Sequence, residues 1–191
     1  MEIKDLITTG LFTAIYILQL CLISMTGVIP VLHFFLPAMA ALFCSIPFFL
    51  FLARVRKFGM ITLLGTLSGL FVFLIGHPWV ALVSAIFFSV IADLICRAGH
   101  YKSSVFSAIS YSVFSFWTGI FPATMWLMQP YYKKAMDAMY PGSDYTMRMF
   151  SLLNSRVLPF AIIIATFIGC LLGVYIGQRT IKRHFEKAGI A

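Results

Sequence analysis

Charge is what this sequence has least of. Only 10% of its 191 residues are charged, and acids are the scarcer sign, with six Asp and Glu against fourteen Lys and Arg. A soluble domain carries about a quarter charged residues. With 61% hydrophobic residues and a mean hydropathy of +0.98, a water-solvated globule is excluded. Cysteine is sparse too: Cys21, Cys44, Cys96 and Cys170 all lie inside apolar runs without CxxC spacing. That excludes a disulfide framework, a redox pair and a thiolate metal site. HExxH, GxSxG, a Walker motif, paired glutamates on a helix and GxGxxG ahead of a helix are also missing. The chain therefore reads as a non-enzyme, with no catalytic residue, metal or cofactor assigned.

What is present is a rhythm of apolar runs separated by basic gaps. Spanning helices need roughly 20 apolar residues, and six runs fit, at about 6–26, 34–53, 58–76, 78–96, 104–127 and 157–178. Lys4 precedes the first run. Arg54, Arg56 and Lys57 follow the second, Arg97 and Lys102 the fourth, and Arg179, Lys182, Arg183 and Lys187 the sixth. Those ten share one side of a membrane. Lys133, Lys134, Arg148 and Arg156 fall together in one long connector on the other. The positive-inside rule then predicts an all-α protein of six transmembrane helices, with both termini in the cytoplasm and a long outer connector between helices five and six. The net charge of +8 is explained by topology, so no nucleic-acid partner is expected; the lipid bilayer is the solvent. No soluble insertion interrupts the array, which predicts a single domain over 1–191 in the plasma membrane. Glu2 and Asp5 beside Lys4, with no A-x-A site after them, make the first run a retained helix rather than a cleaved signal peptide.

Punctuation refines the picture. Pro30 and Pro37 bracket the first outer connector, Pro47 kinks the second helix, and Gly76-His77-Pro78 makes a tight outer turn. In the long connector, Pro130 opens a short helix through Met139. Pro141-Gly142 turns, and Ser143 or Asp144 caps a second amphipathic stretch. Six of the ten methionines lie between Met125 and Met149, among aromatics. Two readings remain open for this region: an adaptable wall of a binding pocket, or an interfacial aromatic belt on a re-entrant loop.

Small residues recur every four positions, allowing close helix approach. They are Gly10 and Ala14 on helix one, Gly65 and Gly69 on helix three, and Ser104, Ala108, Ser112, Ser115 and Gly119 on helix five. Helix six carries Gly169, Gly173 and Gly177. On helices three, five and six they read as packing within the bundle.

Polar residues inside the runs are few. Asp93 is the acid well inside a run, and Arg97, one turn onward, predicts an i,i+4 ion pair. His33, His77, Trp79, Trp126, Asn154 and Arg156 fall near predicted outer helix ends, with Trp117 about two turns below them. Together they form the candidate substrate-binding set, with Arg156 beside Asn154 as the candidate partner of an anionic group.

The opening KDLITTGLFTAIY, with its small-x-x-x-small pair, and the six-helix length of about 190 residues resemble the S component of energy-coupling factor (ECF) transporters. IADLICRAGHYKS and the GxxxGxxxG of helix six are similar to an orphan-substrate subgroup. The resemblance implies a subunit without ATPase activity that captures a small vitamin-like nutrient on the outer side. Its partners would be a membrane coupling subunit, docked at the positions of Gly10 and Ala14, and two cytoplasmic ATPases. The pattern departs at Gly10, where the family motif has alanine. With no His cluster after the start Met, the nickel and cobalt branch is disfavoured. The alternative is a non-transport six-helix scaffold of the cell envelope, which has no use for the methionine-rich outer connector.

Overall fold

A computed structural model describes residues 2–187, with side chains to position 182; those of Arg183 and Lys187 lie outside the described residues. Among the described residues all regular structure is helical. α1 (Ile3–Ser24) runs into a 3-10 turn (Met25–Val28). Then come α2 (Pro30–Phe34), α3 (Leu36–Phe43), α4 (Ser45–Arg54), α5 (Met60–Leu74), α6 (Trp79–Ala98), α7 (Ser104–Leu127), α8 (Gln129–Met139), α9 (Tyr145–Leu153) and α10 (Leu158–Lys187). Five segments are long and apolar enough to cross a membrane: Ile3–Val28, Leu36–Arg54, Trp79–Ala98, Ser104–Leu127 and Leu158–Lys182. α5, expected as a span over 58–76, has 15 helical residues, about 22 Å of helix against a hydrocarbon core of about 30 Å.

The helices close a ring. α1 packs on α5, α5 on α6, α6 on α7, α7 on α10, α10 on the α3–α4 pair, and that pair on α1. Buried aromatics fill the centre: the Phe48 ring lies 4.9 Å from Phe114 and 5.0 Å from Tyr111. The buried stripe of α1 is Thr9, Thr13, Tyr16 and Ile23. Its steps of four, three and seven residues place these on one helix face.

The second apolar run, expected as one helix kinked at Pro47, is interrupted at Cys44 into α3 and α4. Pro47 has no N–H for the Phe43 carbonyl, and its ring crowds that position, so α3 ends at Phe43 and α4 starts at Ser45. Gln19 of α1 donates Nε2–H to the freed Phe43 carbonyl at 3.0 Å. The glycines of α10 face this pair. A Cβ at Gly169 would overlap the Ala38 carbonyl, one at Gly173 the Ala41 carbonyl, and one at Gly177 the Phe49 ring. Gly65 and Gly69 of α5 meet Ser89 and Ala85 of α6 in the same way. The small-residue rows of the third and sixth runs are thus bundle packing, whereas Gly119 and Gly10 have nothing within reach of a Cβ.

The basic clusters share one end of the ring. Lys57 pairs with Asp5 at 2.7 Å and Glu2 at 3.3 Å, while Arg56, Lys102, Arg179 and Lys182 line one groove. Asp93 does not pair with Arg97. It is fully buried and points across to the start of α5. There it accepts from Gly59 N–H (2.8 Å), Thr62 N–H (3.1 Å), Thr62 Oγ1 (3.0 Å) and the Tyr101 hydroxyl (2.6 Å). Arg97 is exposed and lies over the Phe58 ring at 4.9 Å. The physical reason is that the orphan N–H groups at the start of α5 attract the carboxylate, whereas the longer Arg97 side chain, one turn onward on the same side of α6, stays in solvent over Phe58.

Candidate functional site

At the opposite end a cavity of about 160 Å³ lies inside the ring. Leu20, Cys21, Ile23 and Ser24 of α1 form one wall, and His33, Leu36, Pro37 and Ala40 of α2 and α3 a second. Phe71, Val72, Ile75 and His77 at the α5–α6 turn face Thr118, Phe121, Pro122 and Met125 of α7, and Tyr132 of α8 closes the rim.

Local chain chemistry sets the two histidines. α5 ends in a Schellman motif: Gly76 takes φ +103, its N–H bonds the Phe73 carbonyl (3.0 Å), and the His77 N–H bonds the Val72 carbonyl (3.2 Å). Glycine tolerates that φ, and the motif holds His77 at the cavity edge, its ring 5.1 Å from Phe121. His77 Nδ1 is buried without a hydrogen-bond partner. It is an unspent polar atom in an apolar chamber. Pro30 at the start of α2 fixes the short turn that carries His33, whose ring packs on Gly27. Pro122, inside α7, removes the N–H that would bond the Thr118 carbonyl. Thr118 and Pro122 both line the cavity.

Burial, and secondarily the nearby His77, push the His33 imidazole from 6.5 down to about 4, and burial pushes His77 down as well. Both rings are neutral at pH 7. The unfolded histidine titrates near 6.5, so between that value and about 4 the unfolded chain holds a proton that the folded chain refuses. The stabilisation from His33 is therefore complete above about pH 6.5 and declines as pH falls toward 4. At pH 5 the loss is about 2 kcal/mol. Thermal unfolding of detergent-solubilised protein should fall in temperature between pH 7 and pH 5, and His33→Gln should flatten that slope. A slope unchanged by the substitution would contradict the assignment.

The α8–α9 hairpin covers this end, its helices and turn placed where Pro130 and Pro141-Gly142 forecast them; Asp144 takes the N-cap position of α9 without a side-chain cap hydrogen bond. It forms its own small core, in which Tyr132, Met136, Tyr145 and Met149 pack with Phe34 and Met125. The Tyr145 hydroxyl donates to the Gly27 carbonyl (2.5 Å) and the Tyr131 hydroxyl to the Gly76 carbonyl (2.5 Å). The hairpin is thus pinned to both turns that present the histidines. Of this methionine- and aromatic-rich region, Met125 and Tyr132 line the cavity.

The other expected site residues lie elsewhere. Trp117 is fully buried one layer below, donating Nε1–H to the Tyr16 hydroxyl at 3.3 Å and meeting Phe121 edge-on. Trp126 donates to the Leu153 carbonyl at 3.0 Å, tying α7 to α9. Trp79 is exposed at the start of α6; Asn154 and Arg156 are exposed in the α9–α10 turn. None of these five is in the cavity lining. Gly10 and Ala14 are exposed on α1, beside exposed Ile7, Leu11 and Leu18. Sequence reasoning missed the apolar walls, for which Pro122 within an apolar run was the available signal.

A bundle of apolar helices with a chamber at one end is common to many membrane proteins. A family model described as a hypothetical bacterial integral membrane protein (Trep_Strep) matches residues 3–187. The chain belongs to this family. No curated protein and no solved structure matches it. As a Trep_Strep protein it is a multi-pass integral membrane protein of bacteria, and within this Trep_Strep fold His33 and His77 line one cavity together with Ser24, Thr118 and Tyr132.

Proposed function

We propose that this Trep_Strep protein is the substrate-capturing subunit of an ECF-type importer, with α5 as a sixth span and both termini in the cytoplasm. The observation that carries this reading is the partly open chamber at the end remote from the basic groove, with an unpartnered His77 Nδ1 among mostly apolar walls. Its lining has no acid and no Lys or Arg. Burying an unpaired charge there would cost several kcal/mol, which favours an uncharged, largely apolar nutrient over the anionic one that Arg156 suggested. A ligand acceptor or donor at His77 would satisfy the orphan nitrogen at about 1 kcal/mol net.

Native mass spectrometry of gently purified protein should reveal a co-purified small molecule, lost on His77→Phe while the protein remains folded. Retention of that molecule by His77→Phe would exclude the chamber. The docking half of the proposal is supported by the exposed small residues Gly10 and Ala14, with nothing within 4 Å of a Cβ at Gly10. Gly10→Leu and Ala14→Leu should leave folding and ligand retention intact yet abolish uptake and co-purification with a coupling subunit. Normal uptake by both variants would leave the scaffold reading standing.

A further inference from the structure

The basic end of the bundle holds a second concavity, of about 520 Å³, between the end of α4, the start of α7 and the last turns of α10. Arg56, Lys102, Arg179 and Lys182 line it, and no Asp or Glu is among the described lining residues. Four like charges around one groove repel one another and hold a strong positive potential, which an anion relieves.

The groove is a built feature rather than a chance gathering of surface lysines. Arg179 Nη1 donates to the Tyr175 hydroxyl at 2.6 Å, and its guanidinium carbon sits 5.7 Å from that ring. Gln178 donates Nε2–H to the Ser104 carbonyl at 2.7 Å, fastening α10 to the first turn of α7. That first turn adds backbone N–H groups without intrahelical acceptors at the positive end of a 24-residue helix. Lys102 is delivered to the rim by the turn after α6. There His100 and Tyr101 both take positive φ, +52 and +56, and the Tyr101 hydroxyl anchors on Asp93 at 2.6 Å. One side of the groove is apolar and faces outward: Tyr175 is 59% exposed and Leu171, one turn along the same helix face, 54%. An anion that fits has a charged head and a hydrocarbon tail.

We infer that this groove binds the phosphodiester headgroup of an anionic phospholipid, with its acyl chains laid along α10 past Tyr175 and Leu171. Arginine matches phosphate oxygens in a bidentate fork, and basic pockets between transmembrane helices suit such headgroups. The site is at the other end of the molecule from the histidine chamber and does not depend on the transport reading.

The test uses the full chain in nanodiscs of equimolar phosphatidylglycerol and phosphatidylcholine, with retained lipids counted by native mass spectrometry after mild release. Wild type should retain phosphatidylglycerol over phosphatidylcholine by roughly tenfold or more. Arg56→Gln/Arg179→Gln should abolish that preference, as should Lys102→Gln/Lys182→Gln. Lys4→Gln/Arg54→Gln removes the same charge outside the groove lining and should keep it. Equal retention of the two lipids by wild type, or an equal loss in the groove and control variants, would overturn the site. Displacement of the retained lipid by millimolar inorganic phosphate would overturn the lipid assignment, because it would show recognition of phosphate alone.

Discussion

Asp93→Ala should be among the most damaging single substitutions in this protein. The carboxylate accepts four hydrogen bonds from three residues of two segments: Gly59 and Thr62 at the start of α5, and Tyr101 after α6. Removing it orphans the first N–H groups of α5 and a phenol held in a turn of positive φ. Charge-assisted bonds are each worth about 1.5–3 kcal/mol net. A total loss of about 4 kcal/mol is expected, against a typical domain stability of 5–15 kcal/mol. Asp93→Asn, which keeps an acceptor oxygen, should lose less. Arg97→Ala should be nearly silent, because Arg97 touches Phe58 rather than Asp93. Thermal unfolding in detergent and the yield of monodisperse protein measure all three. Matching losses for Asp93→Ala and Arg97→Ala would restore the ion pair and remove the capping role.

The second large effect is expected at Gly173. Even a methyl there would overlap the Ala41 carbonyl and press on Ser45, and the Ala41 carbonyl also accepts the Tyr111 hydroxyl at 2.5 Å. Backbone cannot yield as a side chain can. Overpacking costs about 1–3 kcal/mol, so Gly173→Ala should fall in that range and Gly173→Leu should abolish folding by separating α10 from α3. Gly119→Ala is the control, since a Cβ there meets nothing within 4 Å. A folded, monodisperse Gly173→Leu protein would show that α10 does not pack on α3 as described.

Much of this architecture was legible in the order of residues. Pro47 marked the break in the second apolar run, Pro130 and Pro141-Gly142 set out the α8–α9 hairpin, and the glycines of the sixth run signalled close packing. These signals are local: a missing N–H or an absent Cβ acts on the chain within a turn or two. What was not legible required distant segments to meet. Asp93 was matched with Arg97 because they are four residues apart, yet its partners Gly59 and Thr62 are more than thirty residues away. The chamber is harder still, since Leu20, Ala40 and Phe71 resemble lipid-facing residues until the ring closes around them. Trp126 and Arg156 were drawn toward the site by their place near helix ends, a property that does not determine which way a side chain turns. The length of α5 was overread, because Phe58 and Gly59 are apolar enough to extend a hydropathy run but form the turn that Asp93 caps.

The bond between Gln19 and the Phe43 carbonyl has a directional consequence. A helix surrounded by lipid is free to spin about its own axis unless something polar stops it, and Gln19 binds a carbonyl that Pro47 left open on a neighbouring helix. Residues nine apart on an α-helix project about 180° from each other. Holding Gln19 against α3 therefore turns Gly10, nine residues earlier, to the outside. A carbonyl freed by a proline on one helix thus joins the Asp5–Lys57 pair and the Tyr16–Trp117 bond in fixing the bearing of another, and with it the direction in which Gly10 faces.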